Sequence, residues 1–139
     1  MAALPGRDDR MATLTLTQAN FKETVEKDGI VLIDWWAPWC GPCRMFGPIY
    51  EKVSARHPDV TFAKVNTEDE QELAATFDIR SIPTLMILRE GVLLFAQPGA
   101  LPEAALEDLV GKVRALDMEK VRAEIAEHER KHQEEEAGR

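Results

Sequence analysis

Two cysteines, and no others, stand three positions apart in Trp39-Cys40-Gly41-Pro42-Cys43. If Cys40 opens a helix, Cys43 falls one turn later on the same face. Helical neighbours at that spacing lie within the Cα separation a disulfide tolerates. The pair can then close and open with almost no backbone movement. A helix N-terminus also favours an anion, because several backbone N–H groups there lack partners and the helix dipole is positive. Cys40 is therefore predicted to be the exposed, nucleophilic thiolate of lowered pKa. Cys43, inside the first turn, is predicted to be shielded and to react second. Pro42 suits an early helical position, where its missing N–H would have been unbonded anyway. Bound zinc or a pair of inert buried thiols are the alternatives. Zinc normally takes four ligands, and no second Cys or Cys/His pair stands at usable spacing.

The elements that must position this pair are legible on either side of it. Ile30 to Trp36 reads Ile-Val-Leu-Ile-Asp-Trp-Trp, nearly all apolar, which predicts a strand covered on both faces. A helix from about Cys40 to Arg56 carries Phe46, Ile49, Tyr50 and Val53 at i, i+3, i+4 and i+7. Pro48 lies inside it, so a kink is expected there. Thr13 to Leu16 is short and β-rich, and Thr17 can cap the segment in which Phe21 and Val25 share a face before Asp28-Gly29. Val60 to Val65 reads as a strand and Gln71 to Phe77 as a short helix. Thr84–Leu88 and Val92–Ala96 flank Glu90-Gly91 as a tight antiparallel hairpin. A helix from about Glu103 to Leu116 then turns Leu106, Leu109, Val110 and Val113 inward. The order β-α-β-α-β-α-β-β-α argues for an α/β fold, a mixed sheet between helices.

Length and charge set the outer limits. The chain of 139 residues suits one compact domain that buries about two-thirds of the unfolded surface. No apolar run approaches the roughly 18 residues of a membrane-spanning helix, so an integral helical membrane protein is excluded. A net charge of -8 gives no global field for gripping phosphate backbones, so nucleic acid is not the expected ligand. Two cysteines cannot staple a disulfide-rich secreted fold. Residues 1–10 hold Pro5-Gly6 and four charged residues instead of an apolar signal core, and are expected to be a disordered leader. Met11 offers an alternative start. A cytoplasmic protein is expected.

Four segments carry a resemblance: VLIDWWAPWCGPCRMFGPIYEKV, FAKVNTEDE, FDIRSIPTLMILREG and QPGAL, in that order. Together they resemble the thioredoxin family over roughly residues 13–116. The resemblance implies a thioredoxin fold, with a central mixed five-stranded sheet flanked by helices on both faces. The domain is expected over 11–116 and a charged helical tail over 117–139. By position, Asp34 matches the family's buried acid beneath the cysteines. An acid inside an apolar strand is costly unless it takes a proton or a partner, so burial should raise its pKa and make it a proton acceptor for Cys43. The other reading of Asp34 is a strand-end acid in water. Lys64 matches the lysine that approaches this acid, against the plainer reading of an exposed strand lysine. Ile82-Pro83-Thr84 matches the cis-proline segment beside the cysteines, which implies that the Ile82 backbone meets an extended substrate strand. Trp39, Gly41, Pro42 and Gly99 would complete a small docking surface. Trp35, Pro38 and Pro98 depart from the family's usual residues, and so does the tail.

The resemblance implies a general protein-disulfide reductase that works through a mixed disulfide and needs no cofactor beyond its own Cys40–Cys43 couple. Thioredoxin reductase, an NADPH-dependent flavoprotein, would recycle it, and disulfide-containing reductases and peroxidases would be its substrates. The contrasting reading is a thioredoxin-fold interaction or scaffold module whose C-terminal helix binds a partner. Residues 117–139 hold eight acids and five bases. Met118, Val121, Ile125, His128 and His132 follow 3-4-3-4 spacing, a mildly apolar stripe about a quarter turn away from that of Leu106–Val113. One straight helix cannot point both stripes at one sheet. Either the chain bends near Asp117, or the second stripe faces a partner or a second copy, or the tail is a frayed soluble extension. A monomer is expected, with the tail the one segment that could join copies. His128 and His132 share a helix face, but two ligands make an incomplete metal site, and none is expected.

Overall fold

The structure, a computed structural model, describes residues 13–138; the expected leader at 1–10 and Met11 lie outside them. Five strands, β1 (Thr13–Thr15), β2 (Ile30–Trp36), β3 (Thr61–Asn66), β4 (Thr84–Arg89) and β5 (Val92–Pro98), form one sheet in the order β1-β3-β2-β4-β5. β2 pairs parallel with β3 and antiparallel with β4, so the sheet is mixed. Five helices accompany it: α1 (Phe21–Val25), α2 (Gly41–Arg56), α3 (Gln71–Thr76), α4 (Glu103–Ala115) and α5 (Met118–Ala137).

The alternation of β2 distributes its side chains between two cores. Ile30 and Leu32 join Phe46, Tyr50 and Val53 of α2 and Leu106, Val110 and Val113 of α4 on one face. Val31, Ile33 and Trp35 join Phe21 of α1 and Leu73 of α3 on the other. Each fully buried large side chain contributes about 1.5–3 kcal/mol, so the central strand is anchored from both sides. Asp34 is even-numbered like Leu32, which places it on the α2 face, under the helix that begins at the cysteines. α2 runs unbroken through Pro48.

One local expectation is corrected and one stands. The N-cap of α1 is Asn20, not Thr17. A turn intervenes: the Asn20 side-chain oxygen accepts the Thr17 N–H at 2.7 Å, so Asn20 bonds backwards along the chain and Thr17 opens the turn. The β4–β5 turn stands as expected, with Glu90 at φ 54° and Gly91 at φ 77°, the paired positive values of a tight hairpin.

The chain does bend between the last two helices. Leu116 is extended (φ -65°, ψ 139°), and the Asp117 side chain caps α5 by accepting the N–H groups of Glu119 and Lys120. Met118 is buried and Val121 half-buried, Arg122 reaches Glu90 at 2.9 Å, and residues 122–138 are otherwise exposed. The stripe therefore meets the domain only over its first turn. Beyond that, α5 carries its own i,i+3 and i,i+4 ion pairs from Glu127 to Arg130 and from Arg130 to Glu134. Among the described residues, no helix is long and apolar enough to cross a membrane.

Candidate active site

Cys40 is the N-cap of α2, and its side chain accepts the Cys43 backbone N–H at 3.2 Å. The same hydrogen bond, together with the positive end of a 16-residue helix, stabilises negative charge on the Cys40 sulfur when the pair is open. The two cysteines are joined as a disulfide with Cα atoms 5.2 Å apart. Cys43 is buried, as its place inside the turn predicts. Cys40 is not exposed as expected: only 5% of its surface is accessible. Bonded to Cys43 and packed with Ala37, Trp36 and Ile82, it is covered instead of standing in open water.

The segment Ile82-Pro83, joined by a cis peptide, brings the Ile82 carbonyl oxygen to 3.6 Å from Cys40 Sγ. Gly99 sits next to it, donating its N–H to the Pro83 carbonyl at 2.8 Å with φ 111°, a conformation that favours glycine. Trp39 is 63% exposed, and Gly41, Pro42 and Gly99 are exposed as well. With half-buried Ile82 these residues surround the disulfide with small groups, backbone and one broad aromatic plane.

On the α2 face of β2, Asp34 is fully buried, and neither carboxyl oxygen has a hydrogen-bond partner among the described residues. Burial pushes its pKa up to about 7; the nearby Lys64 charge opposes this and the Glu51 charge adds to it. Lys64 is the cross-strand neighbour of Asp34 in the β2–β3 register, yet its ammonium pairs with Glu51 at 3.9 Å and lies 4.9 Å from the centre of the Trp36 ring. Glu51 is the residue the sequence did not flag. It stands eight positions after Cys43, with Gly47 halfway, on the same stripe of α2; that spacing was the only signal available. An open cavity of about 380 Å³ runs along this stripe, lined by Trp36, Cys43, Gly47, Glu51 and Lys64.

Among the described residues no group of three or more His, Cys, Asp or Glu is placed to hold a metal. His132 pairs with Glu136 at 3.1 Å on the exposed face of α5. Trp35, one of the departures from the family pattern, is buried against Phe21 and Phe77, and its indole N–H has no acceptor among the described residues. A reversible dithiol couple at a helix N-terminus can exchange disulfides.

Comparison with known proteins agrees with this arrangement. The thioredoxin family model matches residues 12–112. A putative thioredoxin 2 of Streptomyces coelicolor is 58% identical over 118 residues, covering 85% of this chain and 88% of that protein. A thioredoxin of Alicyclobacillus acidocaldarius is 44% identical over 104 residues, covering 71% of this chain and 99% of the relative. The solved thioredoxin of Malassezia sympodialis superposes with a TM-score of 0.66 at 30% identity, covering 80% of this chain and 96% of that one. Its sheet order, its cysteine pair at the start of α2 and this match across most of its length show that the chain belongs to the thioredoxin family of thiol-disulfide oxidoreductases.

Proposed function

We propose that the protein is a general protein-disulfide reductase. The observation that carries this reading is the Cys40–Cys43 disulfide at the N-terminus of α2, against the Ile82 carbonyl and over buried Asp34. In the reduced protein the Cys40 thiolate attacks one sulfur of a partner disulfide, and the partner's other sulfur leaves as a thiolate and takes a proton. Cys43 gives its proton to Asp34 and attacks the Cys40 sulfur of the mixed disulfide. That bond breaks and the second partner sulfur departs as a thiolate. The partner gains two electrons, and the Cys40–Cys43 disulfide holds the balance.

Each remaining residue takes a role in this scheme. Lys64 tunes the charge around Asp34. Ile82 presents its carbonyl to an extended partner strand, Pro83 and Gly99 hold that edge, and Trp39, Gly41 and Pro42 form the apolar surface on which the partner rests. Its recycling partner is a thioredoxin reductase, and its substrates are proteins that finish a turnover with a disulfide. The test is reduction of insulin in the presence of dithiothreitol. The protein should precipitate the insulin B chain well above the dithiothreitol background; a rate equal to background would overturn the proposal.

A further inference from the structure

Two carboxyl groups and one ammonium meet at the back of the cysteine pair, and the charges do not divide as the sheet register alone would have them. Lys64 stands directly opposite Asp34 across β2 and β3, but its Nζ lies 3.9 Å from Glu51 Oε1, while both Asp34 oxygens are without a hydrogen-bond partner among the described residues. Glu51 is held from a second direction: the Thr13 hydroxyl of β1 donates to the same oxygen at 2.5 Å. Its other oxygen, Oε2, is buried and has no partner among the described residues. Such a group is costly to keep, so its position calls for a reason. The cavity that begins at Cys43 passes Gly47, where a side chain would meet nothing within 4 Å, and ends at Glu51 and Lys64.

Resting on the reductase reading above, we propose that Glu51 is a positioning residue for proton transfer at Cys43: its carboxylate holds the Lys64 ammonium off Asp34, and so leaves Asp34 the stronger proton acceptor. A lysine drawn onto Asp34 would stabilise the carboxylate and weaken it as a base. The negative charge of Glu51 acts in the same direction, because a second anion nearby disfavours ionisation of the first. The groups around Asp34 are few. Lys64 comes from β3, Glu51 and Tyr50 come from α2, and β4 offers only Leu85 opposite it in the register. Tyr50 donates its hydroxyl to the Ala63 carbonyl at 2.8 Å and stays neutral at working pH, since burial holds its pKa well above the usual phenol value. Among the described residues, Glu51 is thus the anion that can set how Lys64 is shared.

The experiment titrates Asp34 directly, by carboxyl carbon NMR in the oxidised full-length protein, and separately measures the pH profile of Cys43 attack on a preformed mixed disulfide at Cys40. In Glu51→Gln the Asp34 midpoint should fall by about one pH unit, and the profile should move down with it. Thr13→Val removes the tether but keeps the charge, and should leave both in place. Glu51→Asp, which withdraws the carboxylate by one methylene, should move the midpoint part of the way and serves if Glu51→Gln does not fold. An unchanged midpoint in the folded Glu51 variant, or an equal movement in Thr13→Val, would show that Glu51 only fastens β1 to α2, and would overturn the proposal. The midpoint needs no turnover, so it reads even if the wild-type protein fails to reduce insulin, an outcome that would count against the reductase reading alone.

Discussion

The sulfur of Cys40 lies 3.6 Å from the carbonyl oxygen of Ile82, a residue 42 positions further along the chain. In the proposed reduction a partner's extended backbone would run past Ile82 and Gly99, beside this sulfur. Cys43 lies within the first turn of α2. The two cysteines are almost equally covered, at 5% and 4%, so the difference between them is the Ile82 contact and the N-cap position of Cys40, and the proposed order of the two steps rests on these.

Cys40→Ser should therefore abolish both insulin reduction and the formation of mixed disulfides. Cys43→Ser should block turnover but keep the attacking thiol, so covalent adducts with partner proteins accumulate and can be seen on non-reducing gels. Stable adducts on Cys40→Ser would reverse the assignment.

Asp34→Asn should make the protein more stable at pH 8 and slow resolution of the mixed disulfide. The Asp34 pKa rises from 3.8 to about 7 on folding, so the folded state holds the proton more tightly. That contribution to stability is complete below 3.8 and is lost as pH climbs through about 7. Above that, keeping the buried carboxylate ionised costs on the order of 4 kcal/mol, which asparagine avoids. Urea unfolding should show the two proteins close at pH 4 and separated at pH 8. A less stable Asp34→Asn at pH 8 would contradict this.

Arg89 closes the C-terminal end of α4: its Nη1 donates to the carbonyls of Val113 at 2.8 Å and Leu116 at 3.0 Å. These acceptors belong to a helix end that has no further turn to satisfy them, and the guanidinium also answers the negative end of the dipole. Arg89→Met keeps the aliphatic stem and removes the donors. It should cost about 1–2 kcal/mol in urea unfolding and leave insulin reduction unchanged. An unaltered urea midpoint would mean that water caps the helix equally well.

Removing residues 118–139 should leave insulin reduction nearly unchanged, because none of the site residues lies there. The cut does take away buried Met118 and the Arg122–Glu90 pair, so stability should drop by about 1–2 kcal/mol. Removing only 126–139 should cost nothing measurable. A folded, truncated protein with little reductase activity would show that the tail reaches the active site.

Much of the fold could be read from short-range rules. The seven residues of β2 are apolar enough to require cover on both sides, and two cores do flank them. The spacing of Phe46, Tyr50 and Val53 placed α2 and set both cysteines at its start. Glu90-Gly91 marked the hairpin, and two apolar stripes out of phase made a bend near Asp117 one of the readings, which is the one the structure takes. Where such rules failed, a neighbour outside the window decided. Thr17 has the chemistry of a cap, but Asn20 supplies the turn and takes the capping position. Cys40 was expected in water, yet packing with Trp36 and Ile82 covers it.

By itself, then, the sequence determined the order of elements, the redox pair and its position at a helix start, since each depends on residues within a turn or a strand length. Tertiary structure alone decided how charge is shared behind that pair. Glu51 reads in sequence as one more surface acid of an amphipathic helix. Only parallel pairing of β1, β3 and β2 lays Thr13 and Lys64 beside it, 38 and 13 positions away, and only the even face of β2 puts Asp34 near Glu51 and Lys64. Periodicity reports which side chains leave water. The strand order settles which of them meet there, and in a medium where charges interact strongly that meeting sets the proton affinity of Asp34.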